Sequence, residues 1–159
     1  MSVTTASPLP TAQPALRPRL GGRFGAIDAG AVARAEAALK SLSGQFGQWL
    51  NDEVAKLAAA RAAVDADGWT AVTAEGLYFR AHDLKGLGGT YEFPSVSRIA
   101  ASLCKLLDAG RERAPLSLVD EHLNAIGRVV RHGLREAEHP TVQAIASELE
   151  SRVTEAVAG

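Results

Sequence analysis

The chain is poor in several residue types that mark specialised protein classes. Across 159 residues it has one cysteine, Cys104, so no internal disulfide framework can form. Cys104 falls in an apolar helical pattern and reads as a small buried residue. Aromatics are scarce, with two Trp, two Tyr and four Phe, while alanine is abundant; this favours close-packed helices over sheet. The formal net charge is only −1, which gives no electrostatic basis for a nucleic-acid or membrane-surface partner. No apolar run reaches the roughly 20 residues that a bilayer span needs. The start of the chain lacks the basic stretch and apolar core of a secretory signal, so the cytoplasm is the expected location. His122, His132 and His139 match no common zinc spacing, and neither a metal nor a cofactor is expected.

Proline is concentrated at one end. Pro8, Pro10, Pro14 and Pro18 stand among Ser, Thr and Gly, so residues 1–25 read as a disordered Pro-rich tail. Residues 26–159 read as one helical domain. Asp28 is a candidate N-cap for a first helix over 29–42, with Glu36 and Lys40 at i,i+4 spacing. Gly44 is expected to interrupt it. A second helix over 45–64 carries Phe46, Trp49, Leu50, Val54, Leu57 and Val64. Asp65-Ala66-Asp67-Gly68 is a turn, and a third helix runs from Trp69 or Thr70 to Tyr91. Pro94 opens a helix over 94–109 with Val96, Ile99, Leu103 and Leu106 inward. Ser117 with Asp120 resembles a capping box before a helix over 118–134, which turns Leu118, Leu123, Ile126 and Val129 or Val130 inward. His139-Pro140 breaks the chain before a last helix over 141–157 with Val142, Ile145, Leu149 and Val153. The expected fold is all-α: an up-down four-helix bundle over about 45–134, with additional N- and C-terminal helices at its ends or sides.

The richest segment is Ala81-His82-Asp83-Leu84-Lys85-Gly86-Leu87-Gly88-Gly89-Thr90-Tyr91. It is helical in pattern yet carries three glycines, each costing about 1 kcal/mol against alanine inside a helix. Such a helix has a use for bare backbone, which lets another molecule approach closely. Leu77, Ala81, Leu84, Gly88 and Tyr91 form one core-facing stripe. His82 points roughly 140° from the centre of that stripe. Tyr78 and Phe79 lie on the turn before it, and Lys85, Gly86 and Gly89 lie on the turns after it. A neutral imidazole is a nucleophile that titrates near neutral pH. It can accept a phosphoryl group, and an adjacent ammonium offsets part of that group's charge. Exposed aromatics beside it suit an apolar docking patch. The plainer alternative is a solvated histidine on an ordinary helix.

His82-Asp83-Leu84-Lys85-Gly86 resembles the H-x-L-K-G signature of histidine-containing phosphotransfer (HPt) domains. The small residues Gly88, Gly89 and Thr90 follow, as they do in that family. Residues 99–107, Ile-Ala-Ala-Ser-Leu-Cys-Lys-Leu-Leu, resemble its next helix. The resemblance covers about 40–135, most strongly 78–108. Leu87 departs from the usual Ser or Ala after the Lys-Gly pair, and Glu92 stands where many members have glycine.

The resemblance implies a four-helix bundle and a phosphocarrier without kinase activity of its own, working in a multistep phosphorelay. His82 would be the phosphoacceptor and Lys85 would neutralise phosphate charge. Tyr78, Phe79, Gly86 and Gly89 would meet the partner. Ser102, at the facing level of the next helix, would hold the unreactive ring nitrogen. The partners would be receiver domains of a hybrid histidine kinase or of response regulators, which would supply any Mg²⁺; the carrier itself would be a monomer. A helical adaptor that binds a receiver without being phosphorylated is the competing expectation.

Overall fold

The computed structural model describes residues 8–111 and 113–159, with side chains from residue 28. Among the described residues there are five helices and no strand: α1 (Pro8–Asp67), α2 (Ala71–Thr90), α3 (Pro94–Ala109), α4 (Leu116–Arg131) and α5 (Pro140–Ala158). None is long and apolar enough to cross a membrane. The chain divides into two units, 1–42 and 43–159.

The first unit is helical from Pro8, which corrects two expectations. Residues 1–7 of the expected tail lie outside the described residues, but from Pro8 onward the backbone is helix rather than irregular chain. Each interior proline costs a helix about 3 kcal/mol, but the Ala, Leu and Arg between the prolines are strong helix formers. Asp28 accordingly lies inside α1 and caps nothing. Val32, Leu39 and Leu42 are exposed.

In the second unit α1 continues through Gly44, so the expected break is absent. One exposed glycine costs a helix only about 1 kcal/mol. Breaking the helix there would create two more helix ends, each with unpaired backbone N–H or C=O groups. Trp49 is 42% exposed and packs against Phe46 and Tyr91, with ring centroids 5.8 and 5.6 Å away.

The start of α2 is fixed by its sequence. The Thr70 hydroxyl accepts from Thr73 N at 3.1 Å, and the Thr73 hydroxyl accepts from Thr70 N at 2.9 Å. This reciprocal cap satisfies two donors that every helix start leaves free. Pro94 begins α3 as expected. The capping box expected at Ser117 and Asp120 does not form: α4 starts after Pro115 without a side-chain cap. Asp120 binds the Arg61 guanidinium instead, at 2.7 Å to Nε, and a charge-assisted bond of this kind outcompetes a neutral cap.

The helix α3 packs against α2, α4 and α5. Its Val96, Ile99, Leu103 and Leu106 are buried, as their spacing predicts. Leu118, Ile126, Val129 and Val130 of α4 are buried too. The last helix does more than flank a core ending near residue 134. It packs on α3 and α4 and buries Val142, Ala146, Leu149 and Val153. Arg98 of α3 joins Glu150 of α5 at 2.6 Å, which holds the Glu150 carboxyl below its ordinary pKa. Arg152 of α5 pairs with Glu121 of α4.

The tightest joint lies where α2 turns into α3. A Cβ on Gly88 would stand 2.5 Å from Ser97 N and 2.9 Å from Phe93 O. Only glycine lets these backbones approach so closely. Gly88→Ala is therefore expected to destabilise the fold by about 1–3 kcal/mol, an overpacking penalty that exceeds alanine's gain in helix propensity. Urea unfolding monitored by circular dichroism measures it.

Candidate functional site

The core stripe on α2 determines what remains outside. Leu77, Ala81, Leu84 and Gly88 are buried, and Tyr91 is half-buried. His82, Lys85, Gly86 and Gly89 are exposed on the remaining face. A Cβ on Gly86 would meet nothing within 4 Å, and one on Gly89 would touch only Ser97 Oγ at 3.9 Å. Gly88 is thus the glycine that the fold requires, whereas Gly86 and Gly89 leave open ground beside the imidazole. Among the described residues His82 has no side-chain hydrogen bond.

The two aromatics before His82 behave differently. Tyr78, 36% exposed, lays its ring 6.1 Å from the His82 ring at an interplanar angle of 30°. Phe79, 57% exposed, is capped by the Arg80 guanidinium at 5.6 Å. Arg80 in turn lies 3.9 Å from Asp83. With Val72, 80% exposed one turn or more earlier, this face of α2 is apolar with a charged edge. Burial pushes the Cys104 thiol above its ordinary pKa, and the Lys85 ammonium partly offsets that rise.

Ser102 does not serve His82. Its hydroxyl is buried and lies 3.0 Å from Nε2 of His122 on α4, on the side of α3 that faces the core. The hydroxyl expected to orient His82 is thus committed to another histidine. His122, which the sequence reading left without a role, is fully buried. Its Nδ1 lies 2.7 Å from Leu118 O. Because a carbonyl can only accept, Nδ1 carries the proton, and Nε2 then accepts from the Ser102 hydroxyl. A signal for this existed: His122 sits four residues after Leu118 and four before Ile126, in the middle of an apolar stripe.

Glu92 has φ +65°, a left-handed backbone conformation that favours glycine. Its carboxylate accepts from Ser43 Oγ at 3.3 Å and lies 3.9 Å from Arg135. Arg135 also stacks over Phe93 at 4.8 Å. The α2–α3 turn is held in a glycine-like geometry by these side chains. Among the described residues no group of three or more His, Cys, Asp or Glu is gathered to hold a metal. No family model matches the chain, and no curated protein or solved structure matches it.

The buried histidine gives a pH dependence of known sign. Burial lowers the His122 pKa from its ordinary 6.5, so the folded state keeps the ring neutral where the unfolded chain takes up a proton. Stability contributed by the neutral ring is fully present above pH 6.5 and is lost as pH falls toward the lowered value. The slope is at most about 1.4 kcal/mol per pH unit for one proton. Ser102→Ala strips a partner from a buried ring nitrogen and is expected to cost about 1–3 kcal/mol at pH 7.5. Denaturant unfolding between pH 7.5 and 5 checks both outcomes.

Proposed function

We propose that the chain is a histidine phosphotransfer protein of a multistep phosphorelay, with His82 as the phosphoacceptor. One observation carries the reading. The imidazole stands exposed opposite a buried stripe, with Lys85 one turn on and Gly86 clearing the ground beside it. The glycine-like backbone at Glu92, where the HPt family often has glycine, also supports it. In this reading the 43–67 part of α1 forms an up-down four-helix bundle with α2, α3 and α4, and α5 packs along it.

The donor is an aspartyl phosphate of a receiver domain. The lone pair of a neutral ring nitrogen forms the P–N bond as the acyl P–O bond breaks. The aspartate leaves as a carboxylate with the electron pair, and the ring then sheds the proton on its other nitrogen to water. The reverse sequence delivers the group to a second receiver. Such transfers depend on positioning and charge neutralisation more than on further covalent chemistry. Lys85 offsets the charge of the equatorial oxygens, Gly86 and Gly89 admit the receiver, and Phe79 with Val72 offers it apolar contact. Any magnesium belongs to the receiver. The carrier acts in the cytoplasm as a monomer and phosphorylates nothing on its own.

Incubation with a phosphorylated receiver tests this. Wild type should take up the group, and His82→Gln should take up none while its stability stays within about 1 kcal/mol, as for other exposed positions. A folded His82→Gln that still becomes labelled would refute the assignment, and a wild type that binds receivers without being labelled would be the adaptor instead. Lys85→Ala is expected to slow transfer roughly tenfold, the equivalent of one charge contact of about 1–2 kcal/mol, with little change in melting temperature. Gly86→Ala should stabilise the helix by about 1 kcal/mol, whereas Gly86→Gln should stay folded and lose transfer, because its side chain fills the approach. Quench-flow labelling combined with thermal unfolding separates these effects.

A further inference from the structure

Tyr78 sits four residues before His82, and Gly86 sits four residues after it, so both lie on the imidazole's own row of the helix. On one side of the ring stands an aromatic wall 6.1 Å away and tilted by only 30°. On the other side a Cβ would meet nothing within 4 Å. Phe79 is turned to a different neighbour, the Arg80 guanidinium. The adjacent aromatics therefore divide their contacts: one against the nucleophile, one against a surface cation. His82 has no hydrogen-bonded partner among the described residues, and Ser102, the residue expected to fix its ring, is committed to His122.

We infer that Tyr78 is the positioning residue for His82, holding the plane of the imidazole so that its nitrogen edge faces outward over the gap at Gly86. This rests on the phosphotransfer reading and gives Tyr78 a role other than partner docking. A ring free to rotate about χ1 and χ2 presents its nitrogen in many directions, and only some line up with an incoming phosphorus. Pairing with an aromatic ring tilted by 30°, at a centroid distance of 6.1 Å that lies within the range of aromatic pairs, disfavours many of those directions. In this proposal the aromatic ring, and not the hydroxyl, supplies the wall. The effect is felt at the chemical step, after the receiver has docked, and it disappears when the wall loses its aromatic face.

The test uses the full chain and a phosphorylated receiver, with two readouts. The first is the chemical shifts of the His82 ring protons, which feel the Tyr78 ring current whether or not any transfer occurs. The second is the transfer rate as a function of receiver concentration. Tyr78→Phe should leave both unchanged. Tyr78→Leu should move the ring-proton shifts toward those of a free histidine and lower the saturating rate roughly threefold to tenfold, the kinetic equivalent of an aromatic pair. Its half-saturating receiver concentration should stay within about twofold of wild type. Phe79→Leu should show the opposite split, with a raised half-saturating concentration and unchanged ring-proton shifts. Ring-proton shifts that stay put in Tyr78→Leu would overturn the proposal. So would a raised half-saturating concentration at an unchanged saturating rate, which would return Tyr78 to the docking surface. A wild type that accepts no phosphoryl group would sink the phosphotransfer reading, and the ring-proton shifts would then decide alone whether Tyr78 holds the imidazole.

Discussion

The contact between α2 and α3 at Gly88 is the constraint from which the site follows. There is no room for a Cβ between Gly88 and the backbone of Ser97 and Phe93. Phe93 N donates to Gly88 O at 2.7 Å, and Gly89 N donates to Ser97 Oγ at 2.9 Å, so the joint is stitched on both sides. With this point fixed, the rotation of α2 about its own axis is fixed as well. Leu77, Ala81 and Leu84 must then face the core, and His82 and Lys85 must face away from it. The exposed face is a consequence of the packed one.

A second layer of polar contacts sets how the remaining helices meet. His122 brings an imidazole into the middle of the core and satisfies both nitrogens there, one from its own helix and one from α3. Buried polar groups that are fully paired favour one arrangement of helices over its neighbours. Arg61 with Asp120, Arg98 with Glu150 and Arg152 with Glu121 join α1, α3 and α5 to their partners at the rim. Two histidines thus have opposite fates on one scaffold. His122 is kept neutral by burial, while His82 is left exposed with the Tyr78 ring 6.1 Å away.

Much of this was legible in the sequence because periodicity reports burial directly. The stripe on α2, the start of α3 at Pro94 and the inward residues of α3 fall where helical spacing puts them. The exposed row of His82, Lys85 and Gly86 could be read from the same geometry. What spacing does not report is which of several possible partners a side chain takes. Ser102 was expected to reach His82, but its hydroxyl is bonded to His122. Asp120 stands where a cap would use it, but a guanidinium from α1 takes it. Gly44 and the prolines before residue 20 carry strong local preferences against a helix, and the helix passes through them. The full depth of α5 in the core was also hidden, since an amphipathic stripe says that a helix packs without saying how centrally.

The central claim is that one histidine of four, His82, carries the chemistry. The most direct measurement is mass-spectrometric mapping of acid-labile phosphate on the intact chain after brief exposure to a phosphorylated receiver, with fragmentation that preserves the P–N bond. The account predicts a single phosphorylated residue, His82, with the group returned when an unphosphorylated receiver is added. Phosphate mapped to His122, His132 or His139, or acid-stable phosphate on a hydroxyl side chain, would contradict it.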